Sequence, residues 1–269
     1  MKKVLLTTTV LALSASVAAA DGVSLKGMAR VGIDNAGGET TLKSRFQVDA
    51  SGGITTDSGL TLGAKSRLRV ENAYAAPGGD DGGFNNPEVT IGLGGVHLAF
   101  GNTNSAMAAA GNPFGTCVGE PGDYCMGDFK GIYSSNSKGP VQKIRADVSM
   151  GGATVSLSSD MGNDAAELGV KTSVGAFNVG VGMGFGGASE DQYVADVNGT
   201  FGDIKVGVRA TDAMSAAYVN YTNGALGVQA FASDQDTQAV GVTYDLGGAT
   251  LGVAGEVDGA SQITLGFSF

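Results

Sequence analysis

Ser261-Gln262-Ile263-Thr264-Leu265-Gly266-Phe267-Ser268-Phe269 sets Ile263, Leu265, Phe267 and Phe269 on one parity and Gln262, Thr264, Gly266 and Ser268 on the other. Such a strand has one apolar face and presents an edge of N–H and C=O groups that invites aggregation unless a second strand covers it. The expected cover is the first strand of a closed barrel. A matching strand stands near the start, where Leu25, Gly27, Ala29, Val31 and Ile33 alternate with Lys26, Met28, Arg30, Gly32 and Asp34. Two more follow: Leu42, Phe46, Val48 and Ala50 against Lys43, Arg45, Gln47 and Asp49, then Leu60, Leu62, Ala64, Leu68 and Val70 against Lys65, Arg67, Arg69 and Glu71.

Further alternating runs are read at 88–93, 96–101, 141–150, 153–160, 166–173, 177–185, 192–199, 204–211, 215–222, 226–232, 238–245 and 249–256, giving sixteen with the terminal run. Strands of about ten residues with short turns fit that count, and an even number lets the last strand close antiparallel on the first. The chain is short for sixteen, so fourteen stays open. Glycine, at 46 of 269 residues, is more than twice its usual share. It falls in pairs between runs, as at Gly94-Gly95, Gly151-Gly152 and Gly247-Gly248, where hairpins need it. The connections after even-numbered strands are tight, whereas those at 72–87 and 102–140 are long. In an outer-membrane barrel this asymmetry makes the short turns periplasmic. Phe177, Tyr221, Tyr244 and Phe269 then fall at periplasmic ends and Phe100, Phe185 and Tyr193 at outer ends, as two aromatic girdles.

Residues 1–20 read as a secretory signal peptide: Lys2 and Lys3, an apolar stretch broken by Thr and Ser, and Ala18-Ala19-Ala20 before Asp21. No later apolar run approaches the ~20 residues of a spanning helix. Removing Lys2 and Lys3 with the leader leaves 14 basic against 26 acidic residues, a net charge of −12, which argues against nucleic acid as a partner. The two cysteines, Cys117 and Cys125, are expected to pair in an exported protein.

Nine of the 14 mature basic residues sit on the polar parity of few strands: Lys26, Arg30, Lys43, Arg45, Lys65, Arg67, Arg69, Lys143 and Arg145. In a closed barrel they would form a basic wall, which requires a wet lumen. The connection at 102–140 is far longer than ordinary loops and carries Glu120, Asp123 and Asp128. Folded inward, those carboxylates would face the basic wall and set up a transverse field. Acid-rich loops and later strands tilt the expected ion preference toward cations.

Enzymatic chemistry finds little footing. His97 is the sole histidine and has no nucleophile near it in sequence. Gly180-Val181-Gly182-Met183-Gly184 mimics a phosphate loop only superficially, being inside a strand with no helix after it. Asp160, Asn163, Asp164 and Glu167 lack EF-hand spacing and read as a solvated acidic loop. No metal or other cofactor is expected.

The leader, the sixteen alternating strands, the long connection opening with Phe100-Gly101-Asn102-Thr103 and the ending Ile263-Thr264-Leu265-Gly266-Phe267-Ser268-Phe269 together resemble a Gram-negative general diffusion porin, most similar to the alphaproteobacterial, Rhodobacter-type porins. The resemblance implies an all-β, antiparallel transmembrane barrel over 21–269, with 102–140 as an inward-folded constriction loop. It also implies a homotrimer in outer-membrane lipid that passes ions and small hydrophilic solutes, with Phe269 as the barrel-closing residue. The alternative from another class is a secreted β-rich adhesin or structural surface protein.

Overall fold

The structure, a computed structural model, describes residues 22–72, 83–111, 142–257 and 259–269. The leader at 1–20, Cys117, Cys125, Glu120, Asp123 and Asp128 lie outside the described residues. Sixteen strands form the wall: β1 (Val23–Ala36), β2 (Glu39–Thr55), β3 (Thr61–Asn72), β4 (Glu88–Leu93), β5 (Val96–Gly101), β6 (Lys143–Met150), β7 (Ala153–Asp160) and β8 (Ala165–Val174), then β9 (Phe177–Phe185), β10 (Tyr193–Phe201), β11 (Ile204–Thr211), β12 (Ser215–Asn223), β13 (Leu226–Ser233), β14 (Gln238–Asp245), β15 (Thr250–Glu256) and β16 (Ser261–Ser268). A two-residue strand, Gly83–Phe84, also pairs with β3. A short helix, α1 (Ala106–Ala110), follows β5.

Each strand pairs antiparallel with its sequence neighbour, and β1 pairs with β16, so the sheet closes. The closing register sets Arg30 opposite Gly266 and Gly32 opposite Thr264. Gly27 and Phe269 extend it by exchanging two backbone hydrogen bonds of 2.7 and 2.9 Å. The count is therefore sixteen rather than fourteen. At 14 and 17 residues, β1 and β2 outrun the expected length of about ten, because their hairpin turns on Gly37 and Gly38 alone, both at positive φ (61° and 82°), and pairing continues to the tip.

The distribution of polarity is inverted relative to a soluble protein. On β16, Gln262, Thr264 and Gly266 are buried, while Ile263, Leu265 and Phe267 are exposed. On β2, Lys43, Arg45 and Gln47 are buried and Leu42 and Phe46 exposed. Exposed apolar surface on this scale is stable only against hydrocarbon, and buried charge only in a lumen. The rings agree with a membrane boundary: Phe177 and Phe201 meet edge to face at 5.6 Å, and Phe269 lies between Phe46 (5.9 Å) and Phe267 (6.1 Å).

Candidate functional site

The inward face is an interleaved lattice of both signs. All twelve described Lys and Arg residues lie on inward-facing positions of their strands: the nine singled out above plus Lys171, Lys205 and Arg209. Across β1, β2 and β3 the register aligns Arg30 with Arg45 and Glu71, then Lys26 with Asp49 and Arg67. The like charges of Arg30 and Arg45 thus face each other directly, and Glu71 compensates them by accepting from Arg45 Nε. Arg67 Nε donates to Asp49 Oδ1 at 2.6 Å and Arg69 Nε to Gln47 Oε1 at 3.3 Å. Lys43 pairs with Asp34 at 2.6 Å, Lys65 with Glu88 at 3.0 Å and Lys143 with Asp160 at 4.0 Å. On β6, Asp147 takes Arg145 (3.0 Å), the Ser156 hydroxyl (2.6 Å) and, at 3.4 Å, His97 Nδ1.

Cross-strand pairs of opposite charge stabilise a sheet by ~0.2–1 kcal/mol each and fix the side chains as a rigid lining. The far side of the wall is different in kind. Met214, Ala216, Phe231, Ala239 and Ala254 make an apolar cluster with Tyr218, and β12 to β16 carry no basic residue.

The chain enters the lumen after β5. Gly101 turns it there at φ +88°, where a side chain would lie 2.4 Å from the Pro87 carbonyl oxygen. Thr103 N–H donates to Gly101 O, Asn102 N–H to Pro87 O, and the Asn104 carbonyl accepts from the Arg145 guanidinium at 2.9 Å. Ser105 caps α1 by accepting from Ala108 N–H. The remaining first-turn donors bond to the wall: Ala106 N–H to Ser158 Oγ at 2.8 Å and Met107 N–H to Glu167 Oε2 at 3.0 Å. Glu167 is completed by the Ser189 hydroxyl at 3.0 Å.

Glycines on β8 and β9 make room for the helix. A Cβ at Gly169 would sit 2.2 Å from Ala106 O, one at Gly180 would sit 2.0 Å from Ala110 O, and one at Gly182 3.0 Å from Met107 Cγ. Gly169, Gly180 and Gly182 are therefore the seat for α1, whereas Gly184 makes room for Ser189, and Glu167, read from sequence as part of a solvated loop, is the anchor of the helix. Among the described residues no cluster of three or more His, Cys, Asp or Glu stands ready for a metal ion.

Three groups escaped the sequence reading. The partner carboxylates Asp34, Asp49, Glu71, Glu88, Asp147 and Asp160 stand on the same parity as the cations, and that parity was the available signal. The glycine seat of Gly169, Gly180 and Gly182 pairs with a helix at Ala106–Ala110, far off in sequence, which only the fold reveals. Lys171, Lys205 and Arg209 are too sparse along their strands to mark a wall.

The sequence profile described as Gram-negative porin matches residues 7–264. No curated relative matches the chain in sequence. Among solved structures, a triple mutant of the porin of Rhodopseudomonas blastica aligns with a TM-score of 0.77 at 20% identity, covering 92% of this chain and 100% of that one. Two further mutants of the same porin align at 0.77 with 19% and 18% identity and the same coverage. The likeness is one of fold.

Proposed function

This chain belongs to the Gram-negative porin family, and on that premise we propose how its lumen sorts solutes. The protein is an outer-membrane channel for passive diffusion of ions and small solutes, and it is not an enzyme. The adhesin alternative finds no support. In the proposed working arrangement the connection at 102–140 narrows the pore, with its first residues held on the β8–β9 wall and Lys26, Arg30, Lys43, Arg45, Lys65, Arg67, Arg69, Lys143 and Arg145 as the charged counter-wall. Glu120, Asp123 and Asp128 supply the opposing charge. The leader at 1–20 is removed on export, Cys117 and Cys125 form a disulfide within the loop, Phe269 closes the barrel, and three copies assemble, as is typical of porins.

The observation that carries the pore reading is the inversion of polarity: every described basic residue faces inward while Val, Leu, Ile and Phe cover the outside. Solute moves down its gradient without energy coupling, and fixed charges across a confined aqueous gap bias which ions enter. The test is the reversal potential in a salt gradient after replacing Arg45, Arg67 and Arg69 together by alanine. Removing three positive charges beside Glu71 and Asp49 is expected to shift the pore toward cations and raise conductance. Unchanged values in a folded barrel would refute the counter-wall.

A further inference from the structure

Beneath α1 the lumen opens into a recess of about 570 Å³ roofed by Ala108 to Ala110 and bounded by Arg145, Lys171, Lys205, Asn178, Asn198 and Asp196. Its charges are unequal in standing. Asp196 is buried and fully engaged, accepting from Arg209 Nε at 2.7 Å and from Asn198 Nδ2 at 2.6 Å. Arg145 is held by Asp147. Lys171 and Lys205 are exposed to the lumen and have no ion-pair partner among the described residues. The nearest turn carboxylate in sequence, Asp203, accepts instead from Asn223 Nδ2 at 2.9 Å.

Between the two lysines runs a rail of neutral side chains. The Ser173 hydroxyl donates to Asn178 Oδ1 at 2.9 Å, and Asn178 Nδ2 donates to Asn198 Oδ1 at 3.4 Å. Register sets Lys171 between Thr154 and Gly180 and Lys205 between Thr200 and Asn220, so uncharged residues flank both lysines across the sheet. Both lysines lie three residues or fewer from the short-turn ends of β8 and β11, which places the recess toward the periplasmic mouth.

We propose that this recess is a binding subsite for small, multiply charged oxyanions on their way through the channel. Two ammonium groups with no ion-pair partner among the described residues, set across a neutral amide rail in a cavity walled by protein, concentrate an anion carrying two charges more than one carrying one. The inference goes beyond the channel reading but rests on it.

The test is single-channel recording in a potassium chloride background at constant ionic strength, with potassium sulfate added to one side. Sulfate is expected to reduce the current saturably, at lower concentration from the side of the short turns. The double variant K171Q/K205Q is expected to raise the half-blocking concentration about tenfold, while K171R/K205R keeps it near the parent value. Absence of saturable block, or equal block in the glutamine variant, would overturn the subsite. Failure of the channel reading is a separate outcome, since it would abolish current steps in potassium chloride for every variant, parent included.

Discussion

Replacing Gly180 with valine puts a side chain where α1 rests on the wall. A Cβ there lies 2.0 Å from the Ala110 carbonyl oxygen, against an ordinary contact of at least 3.4 Å, so the helix must lift by about 1.4 Å. A lift of that size stretches Ala106 N–H to Ser158 Oγ from 2.8 Å, and Met107 N–H to Glu167 Oε2 from 3.0 Å, to about 4.2 and 4.4 Å, beyond hydrogen-bond range. The neutral bond contributes ~1 kcal/mol and the bond to the carboxylate ~1.5–3 kcal/mol, so docking weakens by roughly 2–4 kcal/mol. At 1.4 kcal/mol per factor of ten, the ratio of docked to undocked helix falls roughly 30- to 700-fold. Gly182→Ala is the milder comparison, because its Cβ meets Met107 Cγ at 3.0 Å and Met107 Cα and Leu168 O at 3.1 Å, contacts that each need only a few tenths of an ångström of adjustment. The assay is single-channel conductance together with the size limit for neutral sugars, read on barrels that still shift on a gel after boiling. Gly180→Val should enlarge both and Gly182→Ala leave both close to the parent. Parent-like conductance in a folded Gly180→Val barrel would refute the seat.

Two stability predictions follow from the lattice and the seam. Arg45→Ala strands the buried Glu71 carboxylate and is expected to destabilise the barrel by ~3–5 kcal/mol, whereas Lys65→Ala, whose side chain is 58% exposed, is expected to cost at most ~1 kcal/mol. Urea unfolding in detergent separates them, and equal midpoints would contradict the pairing. Phe269→Ala removes ring contacts with Phe46 and Phe267, worth roughly 1–3 kcal/mol together. It should lower the temperature of the gel shift while Phe269→Tyr preserves it, and an alanine variant as heat-resistant as the parent would show that the ring adds nothing to closure.

The wall was legible because its signals are local. Alternation at period two marked all sixteen strands, and glycine-bearing turns placed most boundaries within a residue or two, the β1–β2 hairpin being the main exception. Closure of β16 on β1 followed from matching parities at the two ends. What stayed hidden depends on register and distance. Asp34, Asp49 and Glu71 stand in the same runs as the arginines, but which acid meets which base is decided by how neighbouring strands slide. The basic wall is consequently a lattice of pairs rather than a uniform positive face. Gly169 and Gly180 serve a helix lying far off in sequence, and Lys171 and Lys205 draw meaning only from the recess between β8 and β11.

The inversion of polarity leads to one requirement, that water fills the barrel from end to end. Recording from the purified protein in a planar lipid bilayer tests it directly. The current should rise in discrete steps whose size grows in proportion to the conductivity of the bathing salt solution, as for ions moving through bulk-like water. A protein that remains folded and inserted yet gives no steps, or steps that saturate at low salt, would contradict a water-filled diffusion pore.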